Sequence, residues 1–92
     1  MLTKKRFNQL KNKNVYSAIY INIEDPCYHK IVYVISDSIE NTKKLLNQID
    51  FDNYELLNKS IEYLCKFKDL DETEQVLFEN KDIHFFDPEK CN

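Results

Sequence analysis

Two groupings in this 92-residue chain have residue types that could hold a metal: Cys27-x-His29 and His84-x6-Cys91. Two thiolates and two imidazoles would satisfy zinc tetrahedrally. Their spacing argues otherwise, because zinc sites bring donors together through C-x2–4-C or H-x3–5-H, and neither pair has that separation. A turn cysteine, a surface histidine and a tail cysteine account for the same residues, so no metal and no cofactor is expected. Cys27 and His29 with a carboxylate would supply the parts of a thiol nucleophile. A hairpin tip orients such parts poorly, however, and with no glycine in the chain there is no glycine-built oxyanion hole. Cys65 falls on an apolar stripe and reads as a small core residue. The carboxylates Asp69, Asp71, Glu72 and Glu74 cluster where a helix begins, and helix capping explains them without catalysis. The absence of glycine also excludes the loops that cradle phosphates, which need backbone approach without a Cβ.

Charge is the stronger signal. Lys4, Lys5, Arg6, Lys11 and Lys13 form a basic head with no acid among them. From Asp50 to Asn92, twelve acids stand against five lysines, a local charge of −7 in a chain of net charge −3. One arginine and no base-reading motif do not make a sequence-specific nucleic-acid binder, so no direct nucleic-acid contact is expected. The acidic half suits the opposite role, docking on the basic groove of a nucleic-acid-handling protein through complementary potential. Asp69, Asp71, Glu72 and Glu74 are the acids singled out for that contact.

The elements that must carry these residues follow from pattern. Thr3 caps a basic helix over residues 3–12, with Leu2 and Phe7 at staple positions. Residues 15–36 read as a hairpin of β-branched and aromatic residues around Glu24-Asp25-Pro26-Cys27-Tyr28-His29. A type I turn on Asp25 to Tyr28 pairs Ile21 with Val32 and Ile19 with Val34 on one face, and Tyr20 with Tyr33 and Ala18 with Ile35 on the other. Neither face is polar, so both must be covered. The tyrosine face (Tyr16, Tyr20, Tyr33, with Tyr28 nearby) is a second candidate partner surface, and it predicts a homodimer if no helix covers it. An acidic helical half over residues 37–80 follows, with helix starts at Asp37-Ser38-Ile39-Glu40, Asp52-Asn53-Tyr54-Glu55 and Asp71-Glu72-Thr73-Glu74. The middle helix carries Tyr54, Leu57, Ile61 and Leu64 at helical spacing. A short strand over residues 82–86 stops at Asp87-Pro88. The expected fold is α+β: one small domain with an antiparallel hairpin or three-stranded sheet packed by three to four short helices, in the order α-β-β-α-α-α-β.

Lys, Asn and Ile make up 31 of the 92 residues, while Ala, Arg, Pro and Gly contribute four, which points to a very A/T-rich genome. Three cysteines, an odd number without repeated spacing, argue against a disulfide framework and for a reducing compartment. No apolar run approaches a membrane span, so the expected location is the cytoplasm of a bacterial host or infected cell. In size, acidity and composition, though by no motif, the chain resembles small anti-CRISPR and anti-restriction proteins. That resemblance implies a non-enzymatic inhibitor, of phage or mobile-element origin, that binds a host nucleic-acid-handling complex. The competing expectations are a toxin-neutralising immunity protein, a small subunit of a larger assembly, and, least favoured, a thiol enzyme or metal protein.

Overall fold

The computed structural model describes residues 2–90. The first helix, α1, spans Lys4–Leu10, and the Thr3 hydroxyl accepts from the Arg6 N–H at 3.1 Å. Leu2 and Phe7, at the staple positions, both pack against the cluster that contains buried Leu10. Two nine-residue strands follow, β1 (Asn14–Asn22) and β2 (Tyr28–Ser36), paired antiparallel.

The expected turn forms, since the Tyr28 N–H donates to the Asp25 carbonyl at 2.9 Å. The expected register does not. The Asn22 Oδ1 accepts from the N–H groups of both Glu24 and Asp25 (2.9 and 3.0 Å), which places Ile23 and Glu24 in the loop. The strands therefore pair Ile19 with Ile31, Ala18 with Val32 and Ser17 with Tyr33. This is a three-residue slip from the expected pairing, and an odd slip moves one strand's side chains to the opposite face. Tyr20 and Tyr33 end on opposite faces, and the hairpin has no common tyrosine face.

Helix α2 (Ile39–Asn47) is capped by Ser38, whose hydroxyl accepts from the Asn41 N–H. Its Leu46 and Thr42 are buried, and Thr42 Oγ1 lies 2.6 Å from Ser36 Oγ. The next element corrects the sequence reading. The helix expected from Asp52 onward is a strand, β3 (Tyr54–Lys66), antiparallel to β1. Instead of capping a helix, Asn53 takes a left-handed conformation (φ 67°), which Asn tolerates, and turns the chain directly into the strand.

A 3-10 turn (Phe67–Asp69) and a short helix α3 (Glu72–Val76) come next. Asp71 caps α3 as expected, accepting from the Glu74 N–H at 2.9 Å and from the Thr73 hydroxyl at 2.7 Å. Strands β4 (Ile83–Phe85) and β5 (Glu89–Lys90) both pair with β2, giving five antiparallel strands in the order β3-β1-β2-β4, with β5 also on β2. The fold is α+β, and its sheet is larger than a hairpin.

The sheet has a core on each face. On the first, Ala18, Tyr20, Val32, Val34 and Ile61 pack beneath Leu46 of α2. On the second, Val15 and Ile35 pack with Leu10, Phe67, Leu70 and Phe78. Arg6 ties α1 to the chain ahead of β4. Its Nε donates to the Phe78 carbonyl at 3.0 Å, and its guanidinium pairs with Asp82 at 2.7 Å.

Cysteine pairing also departs from expectation. Cys27 is disulfide-bonded, while Cys65, on β3, is a free thiol. Cys91 lies outside the described residues. Among the described residues, no helix is long and apolar enough to cross a membrane.

Candidate functional site

Residues directly paired across an antiparallel sheet project to the same side. The four-strand registers therefore assign every paired side chain to a face. On the first face the charged paired residues are Lys30, Lys66 and Lys90. On the second they are Glu55, Glu62 and Glu89. The sheet is lysine on one side and glutamate on the other.

The first face is closed. The Lys30 ammonium sits over the rings of Phe51 (4.8 Å) and Tyr54 (5.5 Å), and Lys90 lies over Tyr28 at 5.5 Å. Lys66 bonds to Asn14 Oδ1 at 2.7 Å and to the Asn12 carbonyl. These lysines have partners within the chain, and their stems cover apolar surface.

The second face is only half covered. Helix α1, the 3-10 turn and Leu77 and Phe78 after α3 pack on the rows around Val15 and Ile35. Beyond them lie three further rows: Glu62–Ser17–Tyr33–His84, Leu57–Ile19–Ile31, and Glu55–Ile21–His29–Glu89. Phe86 extends the middle row, because its N–H donates to the Ile31 carbonyl at 2.9 Å, and its ring stands edge-on to Tyr33 at 4.8 Å. Ile19, Ile21, Ile31, Leu57 and Phe86 are half-buried and belong to neither core cluster. They form an apolar shelf with glutamates along both sides. On this face the His29 Nε2 lies 3.8 Å from the Glu89 carboxylate.

At the covered end, the charges of Asp69 and Glu74 act on groups of this face. Burial pushes the Tyr33 hydroxyl above its ordinary pKa, and the negative charge of Glu74 adds to the effect. Burial likewise raises the Cys65 thiol, with Asp69 and Glu74 contributing, so the thiol stays protonated and is a poor nucleophile.

Of the residues singled out from sequence, Glu74 acts through its charge on Tyr33 and Cys65, and Asp69 on Cys65. The structure sends the others elsewhere. Asp71 is occupied as the α3 cap. Glu72 lines a separate groove of about 500 Å³ between α1 and α3, with Leu2, Phe7 and Val76. Tyr20 is 2% exposed beneath α2. Its hydroxyl donates to the Leu46 carbonyl at 2.7 Å. Tyr16 is 5% exposed and packs edge-on to Tyr63. Sequence reasoning missed Glu55, Glu62, Leu57 and Ile31 as neighbours. The sequence offered no clear strand signal, because Tyr54-Glu55-Leu56-Leu57 does not alternate and an apparent helical repeat runs through it.

Among the described residues, no group of three or more His, Cys, Asp or Glu side chains is placed to hold a metal ion. His84 is instead set between the rings of Phe78 and Phe86, at 6.4 and 4.9 Å. The arrangement on the second face can do one thing chemically: present apolar area inside a border of negative charge. No family model matches the chain, and neither does any curated protein or solved structure.

Proposed function

We propose that this chain is a non-enzymatic protein-binding module that docks the open half of its second sheet face onto a basic surface of a partner. The observation that carries this reading is the charge segregation of the sheet, with Glu55, Glu62 and Glu89 on the face whose apolar centre is incompletely covered. Half-buried isoleucines and a leucine supply area whose burial is favourable at roughly 25 cal/mol per Å². The surrounding glutamates steer a positive partner into place and disfavour a negative one. Strongly basic grooves are typical of proteins that handle nucleic acids, so occupying one would exclude its natural ligand. The activity that follows is inhibition by occlusion.

Site-specific photo-crosslinking in the native host tests this. A photoreactive residue at Leu57 or Ile21 should yield a protein adduct, and one at Glu40, on α2, should not. Purified partner should then bind with an on-rate that falls about tenfold or more as salt rises or when Glu55 and Glu62 are both changed to Lys. Adducts formed only from Glu40, or binding indifferent to both salt and charge reversal, would refute the docking face.

A further inference from the structure

We infer that the element received by this face is a basic amphipathic α-helix of two to three turns. This rests on the docking reading above and narrows it. A sheet face, unlike a sheet edge, has no free backbone groups to share. The N–H and C=O groups of β1 and β2 are already engaged with each other and with β3, β4 and β5. An extended segment laid on this face would leave its own backbone unpaired against apolar side chains, which is costly. A helix satisfies its backbone internally. A second sheet, such as the same face of another copy, would set Glu55, Glu62 and Glu89 against identical glutamates.

The dimensions agree. From Ser17 to Ile21 the shelf runs about 14 Å along the strand, the length of roughly nine helical residues. Across β3, β1 and β2 it is about 10 Å wide, one helix diameter. The fold already packs helices on both sides of its sheet, α2 on the first face and α1 on the second. The open rows are a vacant berth beside them. The border specifies the sequence of the occupant. Apolar residues at i, i+3 or i+4, and i+7 would meet Ile19, Ile31, Leu57 and Ile21. Lysines or arginines on one flank would reach Glu55 and Glu62, and those on the other flank Glu89.

The test uses the full chain, isotope-labelled, and three ligands. The first is a synthetic peptide of about twelve residues with a leucine stripe flanked by lysines, a length that allows for fraying beyond the shelf. The second has the same composition reshuffled, so that the leucines no longer share a face. The third is polylysine. The patterned peptide should gain helicity on binding and shift the amide resonances of Ile19, Ile21, Ile31 and Leu57. Its affinity should exceed that of the reshuffled peptide at least tenfold, and should fall as much again in Glu55→Lys/Glu62→Lys, a surface pair whose retained fold is read from the same spectra. Equal binding by the reshuffled peptide without helicity would overturn the helix while leaving docking through charge intact. Shifts confined to the groove between α1 and α3 would overturn it as well. Face-directed shifts from none of the three ligands would bring down both readings.

Discussion

Tyr20 gives the most quantitative test of how the first face is built. Its ring stands edge-on to Phe51 (5.2 Å) and Phe85 (5.9 Å), and its hydroxyl donates to the Leu46 carbonyl at 2.7 Å. Tyr20→Phe removes one buried hydrogen bond and leaves the ring packing in place. The Leu46 carbonyl keeps the Ile49 N–H at 3.4 Å, so it is not orphaned. The expected cost at neutral pH is therefore about 1 kcal/mol, the ordinary value for one net hydrogen bond. The alkaline limb adds a second signature. Burial holds the Tyr20 pKa at about 12, against 10.0 for an unburied tyrosine. The raised folded value means the stabilisation is complete below the unfolded pKa and is lost as pH climbs towards the folded one. Linkage puts that loss at about 1.4 kcal/mol one unit above the unfolded pKa, and at roughly 2 kcal/mol two units above it. Tyr20→Phe has no such group to lose. The two stability curves, measured by urea unfolding at stepped pH, should cross at about pH 11, with the variant more stable beyond the crossing. Parallel curves, or a variant less stable at every pH, would mean that the Tyr20 hydroxyl is not buried as described, and equal stability at neutral pH would mean that it is not bonded.

Other parts of the molecule allow similar tests. Ser60→Ala should cost about 1–2 kcal/mol, because Ser60 Oγ is the partner of the Ile19 N–H at 2.8 Å; faster hydrogen exchange at the Ile19 amide would be the specific sign. Asp71 has its carboxyl lowered first by the Thr73 side chain and then by the Glu74 N–H. Its contribution should be present above the usual carboxylate pKa and lost as acid passes the depressed value, and Asp71→Ala should remove that limb from an acid unfolding curve. Arg6→Lys keeps the charge but loses the fork that joins Phe78 and Asp82, and should cost about 1 kcal/mol in chemical denaturation. In unreduced protein Cys65 should be alkylated slowly, and faster as pH rises, whereas Cys27 should react only after reduction. Rapid labelling of Cys27 without reductant would refute its pairing.

Much of the local architecture was legible in the sequence. Thr3 and Asp71 cap their helices through side-chain oxygens, α2 starts within the expected Asp37–Glu40 stretch though capped by Ser38 and not Asp37, and the two hairpin strands lie where β-branched residues cluster. These are short-range signals, complete within a few residues. What failed was non-local. In β3, one β1 residue (Ala18) is matched by four residues on β3 (58–61), because the register jumps between Ser17–Glu62 and Ile19–Leu57. This insertion shifts the phase of two period-two segments, and Tyr54, Leu57, Ile61 and Leu64 then mimic a helical stripe. The face proposed for docking was hidden for the same reason. Glu55, Glu62 and Glu89 become neighbours only once three pairings are known, and one odd slip scatters them across both faces. The acidity of the half-chain was visible, but its sidedness was not.

The same insertion bears on how the protein survives at high concentration. Strand β3 is the outer strand beside β1 and exposes Tyr63 and Leu64. A flat, unbroken outer strand of thirteen residues would be a template for sheet extension from molecule to molecule. Here regular pairing with β1 is confined to 54–57 and 62–66, with irregularities at Val15/Tyr16 and Ser17/Ile19. Ser60 fastens the larger one by taking the Ile19 N–H and donating its own hydroxyl to the Leu57 carbonyl at 2.6 Å. An incoming strand meets two short, out-of-phase ladders where it needs one long one. Deleting Asn58, Lys59 and Ser60 would straighten the edge, and fibrillar aggregation is the outcome to expect from that otherwise conservative shortening.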